Sequence, residues 1–436
     1  MKKALVILFA LGLVFSFTAP VMATDVSFDG SFRVRGWYDS NSALTKNNAT
    51  PIAYYDQRLR LTTVFKVAEG LSFTTRFDAM DGVWGTTGIQ DGSAASDDNL
   101  EFDVSYMTFM TGIGQFKAGY MSDGCWGTAF GDNETFKGAV SFLTKLGDNV
   151  YFSLKMVKSA EGDNNTTYSD YDDDSYSAAV IYGSEAITAG LLYNYKRYAN
   201  YVAGINTSLG TTYRVAEINV VSPYVKATFG DLYVESELIW ADGKAKWDNK
   251  ATADTELEGL AFYLMGKYNL GSSYVGGIFA YVQGDDPNTV FTTKSENVLG
   301  EVNGGTEWGP TLIMWNSTCP TTLGGATGTR DRMDNASFYQ VFAGTTIDKL
   351  SLKASLSMAK ANENGTGGVY LASGAEYLDK DYGTEFDVTA GYKIYDNLTY
   401  SAGFGYLWAG DYYKGASATA EIGNTYLLMN KLQVNF

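Results

Sequence analysis

Charged residues recur at alternate positions within apolar stretches of the sequence. Arg33 and Arg35 stand two positions apart, and Arg58 and Arg60 repeat that spacing. Residues i and i+2 of a β-strand point to the same face. Such strands would gather guanidinium groups on one polar face, where they can hold carboxylates or orient anionic groups in water. The candidates for this face are Arg33, Arg35, Arg58, Arg60, Arg76, Asp78, Asp103, Lys117, Glu235 and Glu237.

The chain around Glu69 predicts specific pairs. If the strands on either side of Glu69 form a hairpin, Arg60 lies opposite Asp78 and Thr62 lies opposite Arg76. One interpretation is a wall that orients polar solutes and favours anions. The other is a wall of salt bridges that has only a structural role. Both interpretations stay open, since paired arginines still shape the surface they line.

The composition argues against catalysis and against nucleic acid. The 436 residues include no histidine, which excludes Ser-His-Asp and Cys-His mechanisms and imidazole zinc sites. Glu235 and Glu237 could suggest glycoside hydrolysis, but at i and i+2 of a strand they are simply neighbours on one face. A net charge of −17 repels phosphate backbones, so we expect no nucleic acid partner. We predict that the protein is not an enzyme.

The elements that carry these residues are predicted to be strands. The sequence is rich in Tyr (32), Phe (24) and Gly (48) and has only 6 Pro, which suits many strands joined by tight turns. Eight short connectors, beginning with 68–70, alternate with nine long polar ones, the longest being 284–335. This alternation predicts about 18 antiparallel strands, with 16 as the alternative.

The faces of these strands indicate a membrane barrel. Charged residues recur near the middle of the predicted strands, at the alternate positions that form the polar face. Aromatic residues cluster near the strand ends, at the positions that form the apolar face. Residues 1–23 are predicted to be a Sec-type signal peptide that is cleaved before Thr24. The predicted fold is an all-β, closed antiparallel transmembrane barrel, with short periplasmic turns and long extracellular loops. It forms one domain over 24–436, in the outer membrane of a Gram-negative bacterium.

The chain ends on an apolar alternation that we interpret as an insertion signal. Its members are Tyr426, Leu428, Leu432, Val434 and Phe436. With this ending the sequence resembles the Gram-negative outer-membrane porin superfamily. The stretch "YYDQRLRL" followed by "FDAMDGVWG" resembles porins of delta-type bacteria and, more loosely, alginate-export channels. The resemblance implies contacts with outer-membrane lipid and lipopolysaccharide, with the barrel-assembly machinery through the last strand, and with like subunits in a trimer. It implies no cofactor.

Three outer connectors carry further candidates. The third connector, 122–134, could fold inward and narrow the channel, with Asp123, Asp132 and Glu134 facing the arginines. It is short for this role. The longer connector 284–335 is the alternative segment that could plug the channel. Cys125 and Cys319 both fall in outer connectors, so a disulfide and two separate thiols are both open. The acidic run 161–174 is interpreted either as a Ca²⁺ site or as a solvated charge run.

The function expected from these features is passive diffusion of small hydrophilic solutes and ions through a water-filled channel. Two alternatives remain. One is a substrate-specific channel or exporter for acidic polysaccharide or other anionic solutes. The other is a secreted, soluble β-rich binding protein, since alternation alone does not fix which face points inward.

Overall fold

A computed structural model describes most of residues 25–436. The described residues are 25–47, 49–85, 100–161, 172–199, 214–247, 254–286, 294–296, 298–299, 308–316, 319, 323–324, 332–365 and 376–436. The predicted signal peptide, residues 1–23, lies outside them, as does most of the acidic run 161–174.

The described residues form nineteen strands, and eighteen of them are long. Their apolar–polar alternation places every second side chain on the same face. The strands are β1 (Asp25–Asp39), β2 (Ile52–Ala68), β3 (Leu71–Val83), β4 (Leu100–Thr111), β5 (Gly114–Asp123), β6 (Thr135–Lys145), β7 (Val150–Ala160), β8 (Asp173–Gly183), β9 (Ile187–Tyr198), β10 (Arg214–Phe229), β11 (Leu232–Trp247), β12 (Thr255–Leu270), β13 (Ser273–Val282), β14 (Lys294–Ser295), β15 (Ala336–Ile347), β16 (Leu350–Ala361), β17 (Asp381–Tyr395), β18 (Leu398–Ala409) and β19 (Thr425–Asn435).

The long strands form one closed antiparallel barrel. Each pairs with its neighbours in sequence, and β19 pairs with β1 to complete the ring. The short strand β14 belongs to a loop and pairs in parallel with the outer end of β12. The prediction of 18 barrel strands is therefore confirmed, and the alternative of 16 is wrong. Eight tight turns and nine longer connectors join the strands, as the sequence predicts.

The barrel has an apolar outside and a polar inside. Large apolar side chains are exposed on the outer face of the barrel, among them Phe28 (63%), Phe102 (57%) and Val341 (63%). The charged residues predicted for the polar face lie at the alternate positions, on the inner face of the barrel. A closed sheet pairs its own backbone groups, as lipid requires. Among the described residues, no helix is long and apolar enough to span a membrane.

The best-packed region lies within the ring of strands and is built by loops. We call the connector between β5 and β6 (124–134) loop 3, and the connector between β13 and β15 (283–335) loop 7. The largest fully buried side chains include Phe130 of loop 3 and Ile313, Met314 and Trp315 of loop 7. These two loops therefore fold inward and bury apolar side chains against the inner wall.

Candidate functional site

The arginines meet on the inner wall of β1, β2 and β3. The β2–β3 register places Arg60 opposite Asp78 and Thr62 opposite Arg76, which confirms both predicted pairs. The β1–β2 register places Arg33 opposite Arg58. The tight turn after Ala68 fixes this arrangement, because a slip of one residue would turn every charged side chain toward the lipid.

Each arginine of this wall contacts a carboxylate. Arg60 makes a two-pronged contact with Asp78, with Nε–Oδ1 and Nη2–Oδ2 distances of 2.7 Å each. Its Nη2 also lies 3.4 Å from Asp103 Oδ2, and Arg76 Nε lies 2.9 Å from the same oxygen. Arg58 Nη1 is 3.4 Å from Asp78 Oδ2. These shared oxygens form one continuous network of charge-assisted bonds.

Within this network the guanidinium groups are nearer to the water than their main partners. The side chains of Asp78 and Asp103 are 9% and 8% exposed, whereas those of Arg58 and Arg60 are 18% and 27% exposed. We call the surface formed by Arg33, Arg58, Arg60 and Arg76 the arginine layer. Two other acids of the network, Asp81 and Glu134, are more exposed than the arginines, at 45% and 30%. The surface toward the lumen therefore carries both the arginines and these two acids, with Asp78 and Asp103 behind them.

Arg35, which the sequence predicts to line the pore, is buried instead. Its Nε donates to Asp56 Oδ1 at 2.8 Å, and Trp37 Nε1 donates to Asp56 Oδ2 at 2.7 Å. Only 8% of Arg35 is exposed. The outer part of β1 is covered here by packed loop residues, so this ion pair is structural.

Two water-accessible cavities adjoin the arginine layer. One has a volume of about 630 Å³ and is lined by Arg60, Thr62 and Arg76. The other, of about 410 Å³, is lined by Thr62 and Arg76 together with Lys117 and Lys155. Because Thr62 and Arg76 line both, the cavities adjoin each other along the wall from β1 to β7.

Loop 3 crosses the lumen and docks on the opposite wall. The backbone N–H and the hydroxyl of Thr128 donate to Glu237 Oε2 at 2.7 and 2.8 Å. Trp126 Nε1 donates to the Ser222 carbonyl at 2.9 Å. Glu237, predicted to line the pore, is only 2% exposed because loop 3 covers it. It is an anchor for the loop and not a surface that a solute meets.

The three acids predicted for the constriction have different partners. Asp123 Oδ1 lies 2.7 Å from Lys155 Nζ, and Asp132 Oδ1 accepts the Trp126 backbone N–H at 2.8 Å. Only Glu134 faces the arginine layer, with its Oε2 4.0 Å from Arg76 Nη2. The prediction that all three oppose the arginines is therefore wrong for Asp123 and Asp132, because each is used to hold the loop.

Loop 7 forms a second inward segment, residues 308–316. Glu385 on β17 is fully buried, and its carboxylate accepts three consecutive backbone N–H groups, from Leu312 (2.9 Å), Ile313 (2.6 Å) and Met314 (2.8 Å). Gln340 Nε2 donates to the Pro310 carbonyl at 2.6 Å. These bonds replace the water that the segment loses on entering the barrel.

The two loops meet inside the barrel. The ring of Phe130 stacks on Tyr263 at 5.1 Å and meets the edge of Trp308 at 5.1 Å. Among the described residues, loops 3 and 7 thus fill the side of the lumen next to β10–β18. Loop 7 also reaches the outer end of the β1–β2 side, where the Gly324 backbone N–H donates to the Ser42 carbonyl at 2.8 Å, and the two cavities lie on the β1–β7 side. The two loops that the sequence suggests as alternative plugs therefore both enter the barrel and contact each other.

Aromatic side chains join loop 7 to the outer loops. Trp315 packs on Tyr382 at 5.6 Å, and Tyr382 packs on Tyr412 at 4.0 Å. Tyr412 lies in the connector between β18 and β19, and its burial raises the pKa of its hydroxyl to about 12. The inward segment is therefore tied to a packed outer cap.

The remaining predicted residues divide into two groups. Lys117 and Glu235 lie on the inner face, with Lys117 Nζ 5.4 Å above the Tyr106 ring and Glu235 accepting the Tyr233 hydroxyl at 2.7 Å. Cys125 and Cys319 are not joined by a disulfide. Cys125 is exposed beside Ser122, whereas Cys319 is buried in the loop 7 cluster, so the predicted pairing is not present.

The acidic connector between β7 and β8 is described only at its ends. Lys158 Nζ contacts Asp172 and lies 3.1 Å from Asp174 Oδ1, so one lysine offsets part of the negative charge of these acids. Ca²⁺ binding at this connector stays a prediction.

Sequence reasoning missed Glu385 as a site residue. Its mid-strand charge marks it as facing inward, as for Glu235, but nothing in the sequence indicates which loop it would hold. Lys155, which lines the second cavity, was likewise omitted from the candidate site residues, although its position in the alternation indicates that it faces inward.

Comparisons with known proteins identify the fold. No protein-family profile and no curated protein matches the sequence. Solved structures do match. OpdL of Pseudomonas aeruginosa is 11% identical over 94% of this chain and 98% of its own, with a TM-score of 0.53. A BenF-like porin of Pseudomonas fluorescens is 11% identical over 94% of this chain and 99% of its own, also with a TM-score of 0.53.

A third neighbour, OpdK of P. aeruginosa solved with vanillate, is 12% identical over 94% of this chain and 99% of its own, with a TM-score of 0.51. At such identities the likeness concerns the fold. The matches extend over nearly the whole of each chain, from the first strand to the last. This chain therefore has the fold of the Gram-negative outer-membrane porins.

Proposed function

We propose that the protein is an outer-membrane channel for small hydrophilic solutes, and that it favours solutes carrying an anionic group such as a carboxylate. The observation that carries this proposal is the arrangement of the arginine layer. Arg60 and Arg76 line the cavities on this side of the lumen, and Arg58 and Arg60 are more exposed than Asp78 and Asp103, the acids that hold them. A planar guanidinium can exchange one contact with aspartate for a two-pronged contact with a solute carboxylate.

The loops support selectivity by size. Loops 3 and 7 narrow the lumen to the strip beside the arginine layer, so a passing solute must lie close to it. Transport would be passive, since a ring of strands with fixed charges supplies a path and a field but no energy source. One structural neighbour was solved with vanillate, itself a carboxylate, which agrees with this solute class.

A channel for acidic polysaccharide remains the second candidate. A row of arginines along the path favours it, because successive uronate groups would find successive partners. A saturable current block by a uronate oligomer, stronger than that by the monomer, would favour this alternative.

The experiment compares benzoate with benzamide, which share a ring and differ in charge. In planar bilayers we expect benzoate to reduce the single-channel current in a concentration-dependent manner and benzamide to have little effect. The double variant Arg58→Gln/Arg60→Gln should weaken the benzoate effect about tenfold or more, since each charged contact contributes roughly 1.5–3 kcal/mol. Equal effects of benzoate and benzamide on the wild-type channel would contradict the proposal.

A further inference from the structure

A second set of basic residues surrounds the lumen below the arginine layer. Its members are Lys117 on β5, Lys226 on β10, Lys267 on β12 and Lys353 on β16. Each is the fourth residue from the tight-turn end of its strand. They therefore lie at a similar height near the periplasmic mouth, on strands distributed around the barrel. We call these four residues the lysine collar.

Every lysine of the collar rests on an aromatic ring. The distances from Nζ to the ring centroid are 5.4 Å for Lys117 over Tyr106 and 5.9 Å for Lys226 over Tyr224. Lys267 lies 5.7 Å from both Tyr233 and Tyr274, and Lys353 lies 5.3 Å from Phe342. A ring face attracts an ammonium group without neutralising its charge.

The collar differs from the arginine layer in its charge balance. The five arginines of β1–β3 lie within 4.0 Å of five acids, namely Asp56, Asp78, Asp81, Asp103 and Glu134. Within the part of the chain that the structure describes, no ion pair or hydrogen bond involves the ammonium group of any collar lysine. The arginine region is thus near neutral overall, and the collar retains its positive charge.

Three acids lie near the collar without forming an ion pair with it. Glu235 lies opposite Lys226 in the β10–β11 register, and its carboxylate accepts the hydroxyls of Tyr233 and Tyr263 at 2.7 and 2.8 Å. Glu237 also attracts Lys226, and Asp387 attracts Lys353, so these two lysines are partly compensated. The tight turns also carry exposed acids, such as Asp231 and Asp348. These lie at the rim, where solvent and salt screen them strongly.

We infer that the lysine collar is an anion site at the periplasmic end of the path and that it sets the preference of the channel for anions over cations. This inference rests on the proposed channel function. The path reaches the collar directly, because Lys117 and Tyr106 line the same cavity as Arg76. An anionic solute released by the arginine layer would next meet ammonium groups that are not held in an ion pair, which draws it toward the periplasm.

The experiment measures the reversal potential of purified channels under a KCl gradient. The test variant is Lys117→Gln/Lys226→Gln/Lys267→Gln/Lys353→Gln. The control variant, Lys46→Gln/Lys246→Gln/Lys380→Gln/Lys414→Gln, removes four lysines that pair with acids at the outer end of the barrel. Both variants change the total charge equally, so only the position of the change differs.

We expect the chloride-to-potassium permeability ratio to fall roughly threefold or more in the test variant and to stay near the wild-type value in the control. The matching Lys→Arg variant should retain the wild-type ratio. Heat-modifiable migration on gels checks that each variant is folded. An unchanged ratio in a folded, conducting test variant would overturn the collar and leave the channel intact. Absence of stepwise current in the wild-type protein would instead refute the proposed function itself.

Discussion

At the scale of single residues, two buried glutamates anchor the loops that enter the lumen. Glu237 holds loop 3 and Glu385 holds loop 7, each by accepting backbone N–H groups. A carboxylate removed from water keeps its charge only if donors replace the lost hydration. The loops supply these donors, and the glutamates in turn satisfy backbone groups that would otherwise be buried without partners.

Replacing one of these carboxylates should loosen its loop. In Glu385→Gln the side chain keeps one acceptor oxygen but presents an NH₂ group to a backbone N–H. We expect the docking of residues 312–314 to weaken by about 2 kcal/mol. Their amide hydrogen exchange should then quicken roughly 30-fold. Mass-spectrometric exchange would measure this, with the exposed, surface-paired Glu421→Gln as control. Unchanged exchange would show that Glu385 does not hold the loop.

The residue pairs that sequence predicts best are those fixed by a tight turn. Arg60 and Asp78 were predictable because a short turn joins β2 and β3, and the register shift between Lys66 and Ala68 gives the pairing centred on Glu69 that the sequence analysis uses. The role of Glu385 was not predictable, because its partners come from a loop more than seventy positions earlier in the chain. Alternation shows that a residue faces inward, but it does not show whether water or a loop covers it. Arg35 and Glu237 were misplaced for this reason.

At the scale of elements, loop 3 depends on a close approach to β11. Gly127 has a φ of +72°, which only glycine adopts at low cost, and an added Cβ would lie 2.7 Å from Glu237 Oε2. That carboxylate cannot yield easily, because Thr128 and Ser222 hold it. The conformation of this one residue therefore helps to keep the loop across the lumen.

Gly127→Ala should displace loop 3 and widen the path. Left-handed backbone costs an L-residue roughly 1–2 kcal/mol, and the contact with Glu237 adds to this. We expect a larger single-channel conductance, or frequent transitions to a larger level, in planar bilayers. Gly138→Ala is the matched control, since no atom lies within 4 Å of an added Cβ there. Identical conductance in both variants would mean that loop 3 does not narrow the path.

At the scale of the whole molecule, closure determines which environment each face meets. β19 pairs with β1 over nine residue pairs, and the backbone groups of Gly30 and Phe436 exchange hydrogen bonds at 2.7 and 2.9 Å. None of the long strands that the structure describes has an unpaired edge, so the outer apolar face can lie in lipid. The strand number and both faces were predictable from alternation and connector lengths. The asymmetric filling of the lumen was not, because it depends on long-range loop packing.

The account as a whole depends on water and solutes passing along the arginine side of the lumen. The most direct test attaches a charged thiol reagent to single cysteines in a Cys125→Ala/Cys319→Ala background while current is recorded from one channel. Thr62→Cys lies on the open path, and Ser357→Cys lies on the inner wall beneath loop 7, where Ser357 is 1% exposed. The account predicts that modification reduces the current at position 62 and leaves it unchanged at position 357. The opposite pattern, or no channel current at all, would contradict it.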